Sequence, residues 1–234
     1  DSPGVIELVE ALCATGQAQC VLGNHELSVL RGAAKPGNGW FFADNHDHAA
    51  GRFQDCRAAS RDQRRQFPQF LAGLPLALSR DDLRVVHAAW HPASLLALAA
   101  DAGSQPLTDI YREYGRHAEQ WAQESALKHA AGNEYRLWHA QLDDEHASVP
   151  LLQAIGRMDE HFQMSNPVRV LTSGVEQLAS RTFYASGKWR MVERVAWWDD
   201  YQEPTPVIFG HYWRWSDHKV PSSHSRGQPD LFSG

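Results

Sequence analysis

Gly23-Asn24-His25-Glu26 puts an amide, an imidazole and a carboxylate in consecutive positions. The amide oxygen of Asn24 is a neutral ligand for a hard cation, and the imidazole of His25 exchanges a proton near neutral pH. The four residues follow a short apolar run, Cys20-Val21-Leu22, and precede Leu27-Ser28-Val29-Leu30, which can begin a helix. A strand, a tight glycine turn and polar groups at a helix start are a common construction for phosphate or metal sites. Glu26 reads as support for the positive end of that helix rather than as a ligand.

The pattern recurs twice. Val85-Val86 runs into His87, and Val207-Ile208-Phe209 runs into Gly210-His211. Each run predicts a short buried strand that delivers its polar group at the carboxyl edge of an α/β sheet, where ligands bind. If the strands are neighbours, Asn24, His87 and His211 converge on one point. Two imidazoles and an amide oxygen suit manganese, iron or zinc better than calcium or magnesium. A hydrogen-bonded imidazole at a strand end explains any one of these histidines alone. Their joint occurrence, with glycine beside two of the three positions, favours a metal site.

Taken in order, these segments resemble the calcineurin-like metallophosphoesterases, specifically the branch near phosphoprotein phosphatases and symmetric dinucleoside tetraphosphatases. Val21-Leu22-Gly23-Asn24-His25-Glu26 matches that family's third motif, Val85-Val86-His87-Ala88-Ala89-Trp90 resembles its fourth, and Val207-Ile208-Phe209-Gly210-His211 resembles its last. Asp1-Ser2-Pro3-Gly4-Val5 looks like the residues just after the second motif, an Asp-Arg-Gly sequence ahead of a helix. The resemblance implies an α/β fold: a two-sheet β-sandwich flanked by helices, with two divalent metal ions (manganese, iron or zinc) at the strand ends, bridged by a carboxylate and a hydroxide. It implies that Asn24, His87 and His211 are metal ligands and that His25 faces the leaving group as general acid or charge stabiliser. A metal pair lowers the pKa of bound water and clamps phosphate oxygens, and an imidazole at the leaving oxygen adds roughly 100-fold or more. The family's Asp-x-His and Gly-Asp motifs, the Asp that orients the catalytic histidine and an Arg that holds phosphate would fall ahead of Asp1. No internal stretch substitutes for them, so the expectation is a catalytic domain truncated at its N-terminus, with little activity in these 234 residues.

The elements that must position these groups are legible in part. Ser2-Pro3 predicts a helix start, with Val5, Leu8, Val9 and Leu12 on its apolar face and Gly16 closing it. Residues 32–51 read as a long loop anchored by Trp40, Phe41 and Phe42. Within it Asp44-Asn45-His46-Asp47-His48 alternates potential ligands but has no flanking strand and reads as hydrophilic loop. Ser60 with Gln63 predicts a capping box for a helix toward Leu74, bent or broken at Pro68. Asp81-Asp82 marks a turn before a strand over Leu83 to Val86. Residues 106–163 predict a helical insert between core strands, with Leu107, Ile110, Tyr114 and Trp121 on one face and Leu151, Leu152, Ile155 and Phe162 on another. Val168 to Leu171, Trp189 to Trp197 and Val207 to Phe209 predict strands. The domain spans 1–216, and 217–234 reads as a loose tail.

Other residues read less sharply. Arg31 either reaches phosphate as a substrate-binding group or caps a helix carbonyl. Trp213 either stacks on a nucleobase or protein side chain or packs at the core rim, the commoner use of Trp. Lys188, Arg190 and Arg194 read as a solvated strand face. His91, in Trp90-His91-Pro92, reads as a neighbour of His87 rather than a ligand.

Bulk properties bound the function. A chain of 234 residues that is 43% hydrophobic can bury one large core. A net charge of -6 argues against bulk nucleic-acid binding. No apolar run is long enough to span a bilayer, and no signal peptide is visible. Cys13, Cys20 and Cys56 form no C-x-x-C pair and read as reduced thiols of a cytoplasmic protein. The expectation is a metal-dependent phosphoesterase hydrolysing a phosphate ester or phosphoanhydride, its substrate a phosphorylated small molecule, a nucleotide or a phosphoprotein. The alternatives are a catalytically incompetent remnant acting as a binding module, and a His-rich metal-binding protein that depends on His46 and His48.

Overall fold

The computed structural model of the chain describes residues 2–35, 37–42, 57–101, 103 and 105–212. Residues 44–48, Cys56, Trp213 and the predicted tail lie outside the described residues. The chain is mixed α/β. In order its elements are α1 (Ser2–Ala14), α2 (Asn24–Leu30), α3 (Gly39–Phe42), α4 (Arg61–Ala72), β1 (Ala77–Ser79), β2 (Arg84–Val86), α5 (Pro92–Asp101), α6 (Leu107–Glu124), α7 (Ala126–Trp138), α8 (Gln153–Met164), α9 (Pro167–Ser173), β3 (Glu176–Ala185), β4 (Lys188–Arg194) and β5 (Val207–Phe209). Two sheets form, one ordered β1-β2-β5 and the other the hairpin β3-β4. Among the described residues, no helix is long and apolar enough to cross a membrane.

Two of the three predicted site strands form, both short, and they are neighbours. β2 runs antiparallel to β1 and parallel to β5, with Val86 opposite Phe209. A parallel pair needs a long crossover, and here everything from α5 to β4 lies between the two strands. Beneath the pair, Val86, Leu171 and Trp197 are buried together, and Phe209 stacks on Trp198 at 5.2 Å. The Trp197 Nε1–H donates to the Ala88 carbonyl at 3.1 Å, which fixes the chain just beyond His87. A second cluster joins Leu22, Leu27, Val29, Trp40, Phe67, Leu71 and Tyr111, so α2, α3, α4 and α6 share one core.

Several expectations change. Cys20-Val21-Leu22 is not a strand; it approaches α2 as irregular chain, held by the Leu22 N–H to the Pro75 carbonyl at 2.8 Å. Val168 to Leu171 is helix, not strand. There Asn166 caps the first turn by accepting from the Arg169 N–H, and Pro167 sits at the first helical position, where its missing N–H costs nothing. Burial on nearly all sides removed the helical period from that sequence. Pro68 lies inside α4 and does not end it; the Ser60–Gln63 capping box starts that helix as expected. On α1 the buried residues are Pro3 and Ile6, while Val5 and Leu8 are 58% and 60% exposed. Trp121 is half exposed and stacks on His161 at 4.0 Å. Strand β4 ends at Arg194, and Trp197 belongs to a 3-10 turn.

Candidate metal centre

Three segments deliver the site. Gly23 has an extended backbone and accepts the Leu27 N–H at 2.9 Å, so Asn24 opens α2. His87 follows β2 directly. The β2–β5 register continues one step past the strands, where the Gly210 N–H donates to the His87 carbonyl at 3.0 Å. That bond sets His211 beside His87. His211 has φ 62, a left-handed backbone that turns its side chain out of the strand direction. The Asn24 Oδ1 accepts from His87 Nε2 at 3.1 Å, and the rings of His87 and His211 lie 5.3 Å apart. Asn24, His87 and His211, separated by up to 187 positions in sequence, meet at the ends of β2 and β5.

Glycine at position 23 is a steric requirement. A Cβ there would sit 2.6 Å from Glu26 Oε2 and 2.7 Å from His87 Cε1, closer than real Cβ atoms come. Tyr212 secures the turn after His211. Its hydroxyl accepts the Val175 N–H at 3.0 Å and fills the space a side chain at Gly174 would need. The Arg194 guanidinium lies over the Tyr212 ring at 5.5 Å and donates to the His211 carbonyl at 3.5 Å. Of the three basic residues expected on a solvated face of β4, Lys188 is exposed, whereas Arg190 and Arg194 are partly buried, Arg194 against His211 and Tyr212.

Both imidazoles are held neutral. Burial pushes the His211 pKa down to about 3, helped by the charges of Arg194, His87 and His25 and opposed by the Ser173 backbone. His87 is lowered by burial, with Glu26 opposing and His25 adding to the effect. Neutral imidazole is the form that binds metal. His211 Nε2 is buried with no hydrogen-bond partner. A buried polar atom without a partner ordinarily costs about 1–3 kcal/mol.

His25 is exposed, and Asn38 fixes it in two places. The Asn38 Nδ2–H donates to the His25 carbonyl at 2.9 Å, and His25 Nδ1 lies 3.0 Å from Asn38 Oδ1. Because the amide nitrogen must face a carbonyl, the amide oxygen must accept, so the His25 Nδ1 carries a proton. In the neutral ring Nε2 then carries no proton. The resemblance assigned this orienting role to an aspartate ahead of Asp1. Asn38 performs it here, and sequence reasoning missed it because Asn38 stands in a Gly-rich stretch without a motif.

The remaining candidates divide. The Arg31 guanidinium lies 3.9 Å from the Tyr111 ring centroid. His91 is a helix cap: its Nδ1 accepts from the Ser94 N–H at 3.3 Å and lies 2.8 Å from Ser94 Oγ. Trp213, His46 and His48 lie outside the described residues. Cys13 and Cys20 are free thiols. Among the described residues, no group of three or more His, Cys, Asp and Glu side chains is placed to hold an ion; the centre consists of two imidazoles and one amide. Comparison with protein-family profiles, with curated proteins and with solved structures finds no match to this chain.

Proposed function

We propose that the chain carries a metal-dependent phosphoesterase site, with Asn24, His87 and His211 as ligands to divalent metal and His25 as the proton-handling group. The observation that carries this reading is the His211 Nε2: buried, without a partner, kept neutral, and next to the His87–Asn24 pair. The donors fit an ion. Two ligands at about 2.1 Å from one metal in a right-angle arrangement lie about 3 Å apart, and Asn24 Oδ1 and His87 Nε2 are 3.1 Å apart. Neutral imidazoles and an amide oxygen suit a first-row divalent ion.

When bound, divalent ions supply neutralisation of phosphate charge and activation of water. The chain's own residues supply the rest. Asn24 Oδ1 and His87 Nε2 would hold the cation in place of their mutual hydrogen bond, with the proton of the His87 ring then carried on Nδ1. Asn38 holds the His25 ring by Nδ1–H, so a protonated Nε2 can pass its proton to the leaving oxygen of a phosphate ester or anhydride. The metallophosphoesterase sandwich, two bound ions and a cytoplasmic site of action belong to this proposal.

The test is manganese-stimulated hydrolysis of nitrophenyl phosphate, by the 234 residues and by the same chain extended through whatever codons lie in frame ahead of Asp1. Slow turnover by the first is expected. An extension carrying Asp-x-His and Gly-Asp should give manganese-dependent turnover that His25→Ala lowers by roughly 100-fold. Robust turnover by the 234 residues that survives His211→Ala contradicts the proposal.

A further inference from the structure

The sequence left two substrate classes open, a phosphorylated protein and a phosphoanhydride, and a cationic cluster at the far end of α2 separates them. Arg31 caps α2, and its guanidinium sits over the Tyr111 ring at 3.9 Å. Arg169 of α9 approaches the same ring at 5.4 Å, and its Nε–H donates to the Tyr111 hydroxyl at 2.7 Å. Tyr111 is buried and its carbonyl accepts from Asn166, so the ring is a fixed platform for both cations. Lys35 lies four residues beyond Arg31, and the charges of Arg31 and Arg169 add to partial burial in lowering its pKa.

Three cations of one sign in one place repel each other, and proteins ordinarily relieve such a cluster with a carboxylate. No carboxylate pairs with Arg31, Lys35 or Arg169 among the described residues. The acids on neighbouring elements are committed elsewhere: Asp109 pairs with Arg112, Asp101 accepts from Tyr114, and Glu176 interacts most strongly with Arg194 and least with Arg169. A guanidinium pair plus an ammonium is the donor set that binds phosphate oxygens.

The cluster is also tied to the candidate centre. α2 carries Asn24 and His25 at one end and Arg31 just past the other, a rise of about 10 Å. Lys35 accepts the Asn38 N–H at 3.0 Å, and Asn38 is the residue that holds His25. A substrate with one phosphate reaches one end of α2 only, whereas a chain of consecutive phosphates reaches toward both.

We infer that Arg31 and Arg169, gathered on Tyr111, form with Lys35, four residues beyond Arg31, a second anion subsite that takes the additional phosphates of a polyphosphorylated, phosphoanhydride substrate. This rests on the phosphoesterase reading of the neighbouring centre, but its test does not need the metal. Inorganic tripolyphosphate and inorganic phosphate are titrated by calorimetry into the metal-free 234-residue chain, its Lys35→Glu and Arg31→Gln variants, and His211→Ala. Arg169 is left in place because it also holds Phe162 and Tyr111. Tripolyphosphate is expected to bind at least about tenfold tighter than phosphate. Lys35→Glu and Arg31→Gln should each weaken tripolyphosphate about tenfold or more, with folding by circular dichroism unchanged. His211→Ala should leave that affinity intact while weakening manganese binding about 100-fold or more, which keeps failure of the subsite apart from failure of the metal centre. Equal affinity for the two anions, no binding of tripolyphosphate, or indifference to Lys35→Glu overturns the inference.

Discussion

The two ends of α2 solve opposite electrostatic problems. At its start, Asn24 and the neighbouring His87 and His211 are donors without charge, and burial lowers the pKa of both imidazoles, that of His211 to about 3. Past its other end, Arg31 and Arg169 share one tyrosine ring, with Lys35 four residues beyond Arg31, and no described carboxylate pairs with them. Each end leaves something unpaired that a folded protein ordinarily pairs: a buried nitrogen at one, a set of like charges at the other. In the proposed reading, burial prepares the first end for a cation, and excess cation prepares the second for an anion. A substrate bearing several phosphates is complementary to both.

Substitutions can break this contrast. The largest effect is expected at the neutral end, where His87→Ala or His211→Ala should reduce manganese or zinc affinity by about 100-fold or more, measured by calorimetry, while Lys35→Glu leaves it within severalfold. Gly174→Ala comes next: its φ of 97 and the abutting Tyr212 hydroxyl leave no room for a side chain. It should cost about 2–3 kcal/mol of stability in urea unfolding and weaken metal binding through His211. Gly23→Ala should cost about 1–3 kcal/mol and displace His87, a change visible in the His87 imidazole resonances. Asn38→Ala should leave metal affinity unchanged and lower turnover of an active, extended chain, because only His25 loses its orientation.

The smallest effect lies outside both ends. Burial lowers the His91 pKa from 6.5, and His91 Nδ1 accepts the Ser94 N–H at the start of α5. A folded-state pKa below the unfolded value means that the unfolded chain takes up the proton first as pH falls. Stability from this group is therefore complete above about pH 6.5 and declines below it. His91→Asn keeps a capping acceptor without titrating, so it should flatten that part of the pH profile in thermal unfolding; an unchanged profile means that His91 does not act as the cap.

How much of this was legible in the sequence follows from how local each signal is. The convergence of Asn24, His87 and His211 was readable because each follows an apolar run and two have an adjacent glycine, and parallel pairing of β2 with β5 does the rest. The α4 capping box was readable because both of its partners lie within four residues. Asn38 was not, because its role depends on a fold that returns thirteen residues later to His25. Val168 to Leu171 misled because β-branched residues in a fully buried helix look like a strand, and only Asn166-Pro167 marked the helix start. Cys20 to Leu22 has a strand's composition without a strand's ladder, since its recorded partner is a single carbonyl at Pro75. Arg31 was noticed alone; its meaning lay with Arg169, 138 positions away, on the other side of Tyr111.

The central claim is that Asn24, His87 and His211 bind one divalent ion through neutral donors. X-ray absorption at the zinc edge of the zinc-loaded chain tests it most directly, because imidazole rings leave a multiple-scattering signature. The account predicts two imidazoles plus oxygen donors, with one imidazole left in His211→Ala. A loaded chain whose zinc shows no imidazole scattering, or whose spectrum is the same in His211→Ala, contradicts it.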